Sequence, residues 1–136
     1  MCIFNNSVNY TMKALTFLAD RKDHSMVLSS EIAKMEKIPY HYLAKILQGL
    51  TKFGYVESAK GRNGGFHITK KGLNCTIALL IKQTDGFTIK NECILTKAGC
   101  SEKNPCALHK YFSQIGIDIN RSILELRTKD LTNKKL

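Results

Sequence analysis

Residues 29–66, SSEIAKMEKIPYHYLAKILQGLTKFGYVESAKGRNGGF, contain the local signals that decide the fold. The segment 29–36 opens with two serines, which are good helix N-caps, and it predicts a short helix. The Ile38–Pro39 step then interrupts the helical pattern. Proline disfavours helix in the residue before it and suits the first position of a new helix. We therefore expect a second helix to begin near Pro39.

The helix predicted over residues 39–53 is strongly amphipathic. At about 100° per residue, its apolar side chains form one continuous stripe. That stripe consists of Leu43, Ile46, Leu47, Leu50 and Phe53. The opposite side consists of His41, Ala44, Lys45, Gln48 and Lys52. Since Gly54 is a natural helix terminator, the pattern predicts a helix with one buried face and one basic, exposed face.

After this helix, strand-forming residues flank a glycine-rich turn. Tyr55 and Val56 favour a strand, GRNGG at 61–65 is a turn, and residues 66–69 return to extended structure. This pattern predicts a β-hairpin. Its loop carries Lys60 and Arg62 between glycines that allow close approach to another molecule. A helix, a short helix, a break, an amphipathic helix and a hairpin follow in the order of a winged helix-turn-helix.

Periodicity outside this stretch predicts further helices, which makes the fold mainly α with a small β-hairpin wing. One helix covers 7–19 with Ser7 as its N-cap, another covers 72–83, and a long final helix runs from about Pro105 to Thr128. Its apolar positions are Leu108, Tyr111, Phe112, Ile115, Ile119, Ile123 and Leu126. So long a stripe indicates either a helix that lies across the domain or, as we favour, one that packs on a second subunit. We divide the chain into a winged helix-turn-helix domain over 1–72 and a second region over 73–136 that includes the long final helix.

The charge of the chain is concentrated in the winged segment. The net charge is +10, and residues 37–71 hold seven Lys or Arg residues against one acid, Glu57. A concentrated basic segment favours a polyanionic partner, usually nucleic acid, although a basic surface that only aids solubility is the alternative. The side chains suited to base edges and phosphates in a major groove are His41, Lys45, Gln48 and Lys52. Arg62 at the hairpin tip, beside Lys60, suits a narrow minor groove.

A second candidate site lies near residue 100. It comprises Cys93, Cys100 and Cys106, with His109 three residues after the last cysteine. With no secretion signal and no apolar run of membrane-spanning length, we expect a cytoplasmic protein without membrane contact, in a reducing compartment. The cysteines are spaced more widely along the chain than those of common structural zinc sites. Wide spacing suits an iron–sulfur cluster, which also prefers soft thiolate ligands.

Other assignments of these cysteines stay open at this point. The trio could bind zinc, or it could bind no metal and respond by thiol oxidation. Cys75 is interpreted as a core residue. An enzyme is disfavoured because the chain has no oxyanion-hole motif and no nucleotide-binding loop.

Three stretches together resemble a known family. They are YTMKALTFLA at 10–19, residues 29–66, and the cysteine trio before the last helix. The chain resembles the IscR/NsrR-type winged-helix regulators of bacteria, the Rrf-two family. The resemblance implies a homodimeric repressor that binds double-stranded DNA at a pseudo-palindromic operator. It also implies an iron–sulfur cluster that changes DNA affinity, with 2Fe–2S favoured over 4Fe–4S, in response to redox state, nitric oxide or cluster supply.

The resemblance also implies roles for individual residues. Cys93, Cys100 and Cys106 match the family's cluster cysteines, and His109 matches the histidine that completes the site in the IscR branch. Where other branches have an acidic ligand, this chain has Asn9, a poor iron ligand. The base-reading positions of the family match His41, Ala44 and Lys45, and the wing positions match Lys60 and Arg62.

Overall fold

The computed structural model of the chain describes residues 5–21, 23, 25–84 and 100–132. Its elements in chain order are α1 (Asn6–Ala19), α2 (Ser29–Glu36), α3 (Tyr40–Lys52), β1 (Val56–Ala59), β2 (Gly65–Ile68), α4 (Lys70–Leu73), α5 (Ile77–Thr84) and α6 (His109–Ile119). A π-helical turn, Asn120–Leu124, and a 3-10 turn, Thr128–Leu131, follow. The predicted fold class, mainly helical with one antiparallel hairpin, is confirmed.

Only some boundaries of the first three helices have a residue whose chemistry favours them. Helix α2 has Leu28 at its N-cap position, so the prediction that a serine caps it is wrong. Asn5 caps α1, because its Oδ1 accepts a hydrogen bond from the Val8 N–H at 3.0 Å, so the prediction of Ser7 as the cap is wrong. Helix α2 ends at Lys37, which takes the left-handed conformation with φ 53°. Pro39 then precedes the first turn of α3, as its fixed φ favours. The connection between α2 and α3 is therefore only three residues long.

The apolar stripe of α3 forms the centre of the core. Leu43, Ile46, Leu47 and Leu50 are buried, and Phe53 is partly buried beside them. They pack in one cluster with residues of α1 and α2, including Leu15 and Ile32. Because burial of one aliphatic side chain contributes about 1.5–3 kcal/mol, this stripe is a main source of the domain's stability. The amphipathic pattern predicted for residues 39–53 is confirmed.

The hairpin has a third strand-like neighbour that comes from outside it. Val56 pairs with Ile68 and Ala59 with Gly65 in the antiparallel register. Val27, between α1 and α2, also exchanges two backbone hydrogen bonds with Phe66, at 2.9 and 2.8 Å. Gly65 has φ +142°, and a Cβ there would come within 2.5 Å of the Val27 carbonyl oxygen. Only glycine therefore fits where the hairpin meets residue 27.

The prediction of a single helix over residues 72–83 is wrong, because the helical structure is interrupted between α4 and α5. The backbone at this break pairs instead with a distant segment near residue 127. The Ile77 N–H donates to the Leu126 carbonyl at 2.9 Å, and the Thr128 N–H donates to the Cys75 carbonyl at 3.0 Å. Such ladder bonds need backbone groups that a continuous helix would have used internally.

The final helix is also shorter than predicted. Helix α6 covers His109–Ile119, so Pro105 and Cys106 precede it, and the stretch to Thr128 is a π-helical turn followed by extended residues. The cause is packing within the chain. Ile123 and Leu126 fold back onto a small core formed by Val8, Ile77 and Ile81, next to α1 and α5. A straight helix could not return its end to that core.

Candidate nucleic-acid interface and cysteine site

One face of α3 carries an exposed row of hydrogen-bond donors. His41, Lys45, Gln48 and Lys52 are all exposed, and they recur at spacings of three or four residues on the same side. Ala44, which lies among them, is exposed as well. This face points away from the core because the opposite stripe is buried against α1 and α2. The row matches the arrangement with which a recognition helix meets base edges in a major groove.

The end of α3 is tied to the start of α4, which fixes the hairpin relative to the helix. The Lys71 ammonium donates to the Phe53 carbonyl at 2.7 Å, at the C-terminal end of α3. The Thr69 hydroxyl donates to the Gly54 carbonyl at 2.7 Å, and its N–H donates to the Tyr55 carbonyl at 3.0 Å. A cation at a helix C-terminus is favoured by the helix dipole. These bonds set the wing at a defined position beside the exposed face.

The hairpin loop presents its two basic residues to solvent. Lys60 and Arg62 are exposed, as is Gly61 between them, which has φ +101°. At Gly64 a Cβ would lie 2.4 Å from the Ala59 carbonyl oxygen, so the tight turn requires glycine there. The one acid of the basic segment, Glu57, faces His67 across the hairpin, with 3.2 Å between Oε2 and Nε2. Its charge is therefore partly engaged away from the loop.

The cysteine site is centred on the thiol of Cys100. Its Sγ lies 3.3 Å from the Nδ1 of His109, and it accepts a hydrogen bond from the Cys106 N–H at 3.4 Å. A tight turn, in which Ser101 and Asn104 exchange backbone hydrogen bonds, brings these residues together. His109 begins α6, while Cys106 lies in the turn before it. The final helix therefore begins after Cys106 and not near Pro105 as predicted, although the His109 N–H donates to the Cys106 carbonyl at 3.0 Å.

This geometry fits two ligands of a metal centre. A metal ion bound tetrahedrally at about 2.3 Å from sulfur and about 2.1 Å from an imidazole nitrogen holds those atoms about 3.5 Å apart. The 3.3 Å between Cys100 and His109 is close to that separation. Cys93 lies outside the described residues. Within residues 5–21, 23, 25–84 and 100–132, no group of three or more His, Cys, Asp or Glu side chains is arranged to hold a metal ion.

Cys75 differs in kind from the cysteines near residue 100. It is only 3% exposed and belongs to the main core, which confirms its interpretation as a core residue. Burial raises the pKa of its thiol. Burial also raises the pKa of its neighbour Tyr55 to about 12. Cys75 is thus a packing residue that stays protonated at neutral pH.

Some residues that build the interface carried no sequence signal we recognised. Val27 supports the wing through its bridge to Phe66, and Lys71 holds the end of α3. A lone β-branched residue between two helices is a weak strand signal. The role of Lys71 depends on a contact across 18 positions of the chain.

The helix order, the exposed donor face and the wing define a winged helix-turn-helix DNA-binding protein. Residues 4–134 match the Rrf2 family, described as "Iron-dependent Transcriptional regulator", and the chain belongs to this family. It is 38% identical over 134 residues to an HTH-type transcriptional regulator of Aquifex aeolicus, covering 96% of this chain and 92% of that protein. It is 29% identical to the NsrR regulator of Shouchella clausii, covering 90% and 83%.

Solved structures support the same fold. The structure of CymR, named the global cysteine regulator of B. subtilis, superposes with a TM-score of 0.76 and 18% identity over the whole of both chains. IscR of T. potens superposes with a TM-score of 0.69 and 16% identity over 96% of this chain and 85% of that one.

The family membership confirms the resemblance seen in the sequence. The chain is a transcriptional regulator and not an enzyme. Among the described residues, no helix is long and apolar enough to cross a membrane.

The burial of the cysteines predicts different thiol reactivities. In the reduced, metal-free protein at pH 8, iodoacetamide should modify Cys75 at least about tenfold more slowly than Cys100 and Cys106, since only the thiolate reacts and burial limits access. Peptide mass spectrometry over time measures the three rates. Denatured protein is the control, in which the rates should converge. Equal rates in the folded protein would contradict the placement of Cys75.

Proposed function

We propose that the chain is a homodimeric transcriptional repressor whose affinity for a pseudo-palindromic operator is switched by an iron–sulfur cluster. The observation that carries the DNA-binding part is the exposed donor row of α3 beside the basic wing. In this proposal residues 1–72 bind DNA, and residues 73–136 hold the cluster and form the dimer. The signal sensed by the cluster is redox state, nitric oxide or cluster supply.

The DNA-binding part assigns distinct tasks to helix and wing. His41, Lys45, Gln48 and Lys52 enter the major groove, where their donors meet base edges and phosphates. Lys60 and Arg62 reach the adjacent backbone and minor groove. Ala44 offers only a methyl group, which suits contact with a thymine methyl rather than a hydrogen bond.

Charge removal at this surface should weaken operator binding. For Lys45→Ala and Arg62→Ala we expect a loss of about 1–3 kcal/mol in binding free energy, and a smaller salt dependence where the lost contact is to phosphate. Fluorescence anisotropy with operator DNA at several salt concentrations measures both. Lys129→Ala, which removes an equal charge from an exposed position of the 3-10 turn, is the matched control and should cost little. If the operator affinity of the control falls as far as that of the two variants, the DNA-binding surface is misassigned.

The exposed side chains of helix α6 support the dimer part of the proposal. Among its side chains that the structure describes, none is buried. Large apolar side chains on it or just before it are instead exposed, namely Leu108, Tyr111, Ile115 and Ile117. Clustered apolar exposure of this kind marks a protein interface, and a twofold dimer would present two α3 helices to successive major grooves.

Light scattering tests the dimer directly. The measured mass of the wild-type protein should be twice the chain mass of 15.3 kDa. Ile115→Asp should shift it toward the monomer, because it places a charge in the apolar contact. Ser122→Asp, at an exposed position after α6, is the control that should stay dimeric. A monomeric wild type, or equal dissociation of both variants, would refute this assignment of the interface.

The cluster part of the proposal uses Cys93, Cys100, Cys106 and His109 as ligands. It is supported by the contact between Cys100 and His109 and by the iron-dependent family. A bound cluster would supply a centre that reacts with oxidants and nitric oxide. The chain itself contributes the turn at Ser101–Asn104, which holds the Cys100 thiol beside the first residue of α6. A change at that thiol therefore acts on the start of the proposed dimer helix.

A second candidate is a zinc-bound or cluster-free regulator that responds through thiol oxidation. The contacts of the Cys100 thiol favour it, because this thiol lies beside the His109 ring and accepts a hydrogen bond from the backbone of a second cysteine, Cys106. A neighbour in fold, Staphylococcus aureus CymR, has a structure described as an oxidized form.

Anaerobic purification separates these candidates. We expect iron, sulfide and visible absorption after reconstitution, and we expect His109→Ala to change the spectrum or speed cluster loss, since it removes one ligand. His41→Ala removes a histidine from the DNA face and should leave the spectrum unchanged. Bound zinc without sulfide, or a metal-free protein that forms a disulfide, would replace the cluster with the second candidate.

A further inference from the structure

A cavity of about 300 Å³ lies between α1, α3 and α5, on the side of α3 next to its exposed donor face. The lining residues that matter below are Lys45, Gly49, Leu50, Phe53, Leu80 and Gln83. Its volume is at the lower end of the range found for small-molecule sites. One of its walls is the proposed recognition helix.

Gly49 keeps this cavity open. It lies inside α3, where glycine is less favourable than alanine. Its φ is not in the left-handed region. Apart from its chain neighbours and the nearby backbone of α3 itself, no described atom lies within 4 Å of the Cβ that another residue would place there. Neither backbone conformation nor close packing therefore requires a glycine. The feature that depends on its missing side chain is the open space beside it.

The polar groups of the cavity have complementary chemistry. Lys45 supplies a cation at its exposed side. At the other wall, Gln83 has a buried side-chain oxygen with no hydrogen-bond partner among the described residues. An unpaired buried acceptor is destabilising, and a bound donor would remove that cost. Between these two groups the wall is apolar, formed by Ile46, Leu50, Phe53 and Leu80.

We infer that this cavity is a binding site for a small amphipathic carboxylate that carries an N–H donor, such as an apolar amino acid. The carboxylate would pair with Lys45, the ammonium would donate to Gln83, and the side chain would lie against Leu50 and Phe53. The ligand needs its N–H donor, its carboxylate and its apolar side chain together, because each of these groups matches a different wall of the cavity.

Ligand binding has a consequence for DNA that rests on the proposed function. Lys45 belongs both to the cavity and to the donor row of α3. A carboxylate on its ammonium removes a charge that DNA would otherwise meet, so the ligand should weaken operator binding. Ligand binding itself does not depend on DNA, so the two effects are measured separately.

The binding test uses the full-length protein and matched small molecules. Amide chemical shifts are followed during titration with L-leucine, L-methionine and L-phenylalanine. The comparison compounds are 4-methylpentanoate, which lacks the donor, and 3-methylbutylamine, which lacks the acid. We expect shifts at Gly49, Leu50 and Gln83, and affinity for at least one amino acid about tenfold or more above that of either comparison compound. The inference is overturned if no amino acid shifts these amides, or if the comparison compounds bind equally well.

Variants then test the location of the site. Gly49→Leu should fill the cavity and abolish the shifts while the thermal midpoint stays equal or rises. Thr51→Leu, exposed on the opposite side of α3, is the control and should bind as the wild type does. Gln83→Leu should bring leucine and 4-methylpentanoate to equal affinity. A strong loss of stability or of dimer in Gly49→Leu would show that the protein itself covers the cavity, which also overturns the inference.

The DNA test is a separate measurement. Operator affinity should fall when the binding amino acid is added to the wild type and stay constant for Gly49→Leu. If the ligand binds but DNA affinity does not change, the site stands and its link to Lys45 fails. If the wild type binds no operator at all, the proposed function fails while the titration result is unaffected.

Discussion

The burial of one stripe of α3 is the constraint on which the rest of the structure depends. Leu43, Ile46, Leu47 and Leu50 can leave water only by packing on α1 and α2. A helix that buries one side must expose the other, so the same packing displays His41, Lys45, Gln48 and Lys52. The short connection through Lys37 and Pro39 fixes the angle between α2 and α3. Stability and the proposed DNA interface are therefore two faces of one helix.

The wing depends on that helix through a few polar contacts. Lys71 and Thr69 bind the carbonyls at the end of α3, and Val27 pairs with Phe66 from the other side. A two-stranded hairpin alone is only marginally stable in water. These contacts supply what the hairpin lacks, and they place Arg62 at a set distance from the donor row. The cavity beside Gly49 lies against the same helix.

The C-terminal segment links the cysteine site to the winged domain. After α6 the chain returns, and residues 126–128 pair with the backbone at residues 75–77. Ile123 and Leu126 pack near Val8 and Ile81, while Tyr111 and Ile115 stay exposed. One end of this segment is therefore held on the domain, and the other end starts at the Cys100–His109 contact. Under the proposed function, a change at the thiol would act on a segment that is anchored at α1 and α5.

The sequence by itself determined the winged helix-turn-helix, because its signals are local. An amphipathic period, a proline after a short helix and a glycine-rich turn each act within a few residues. The exposure of the candidate DNA residues followed from the same period. Tertiary structure alone decided the break after α4, the shortened α6, the support of the wing by Val27 and the cavity beside Gly49. Each of these depends on contacts between residues far apart in the chain, and the energy of such contacts overrides local helix preference.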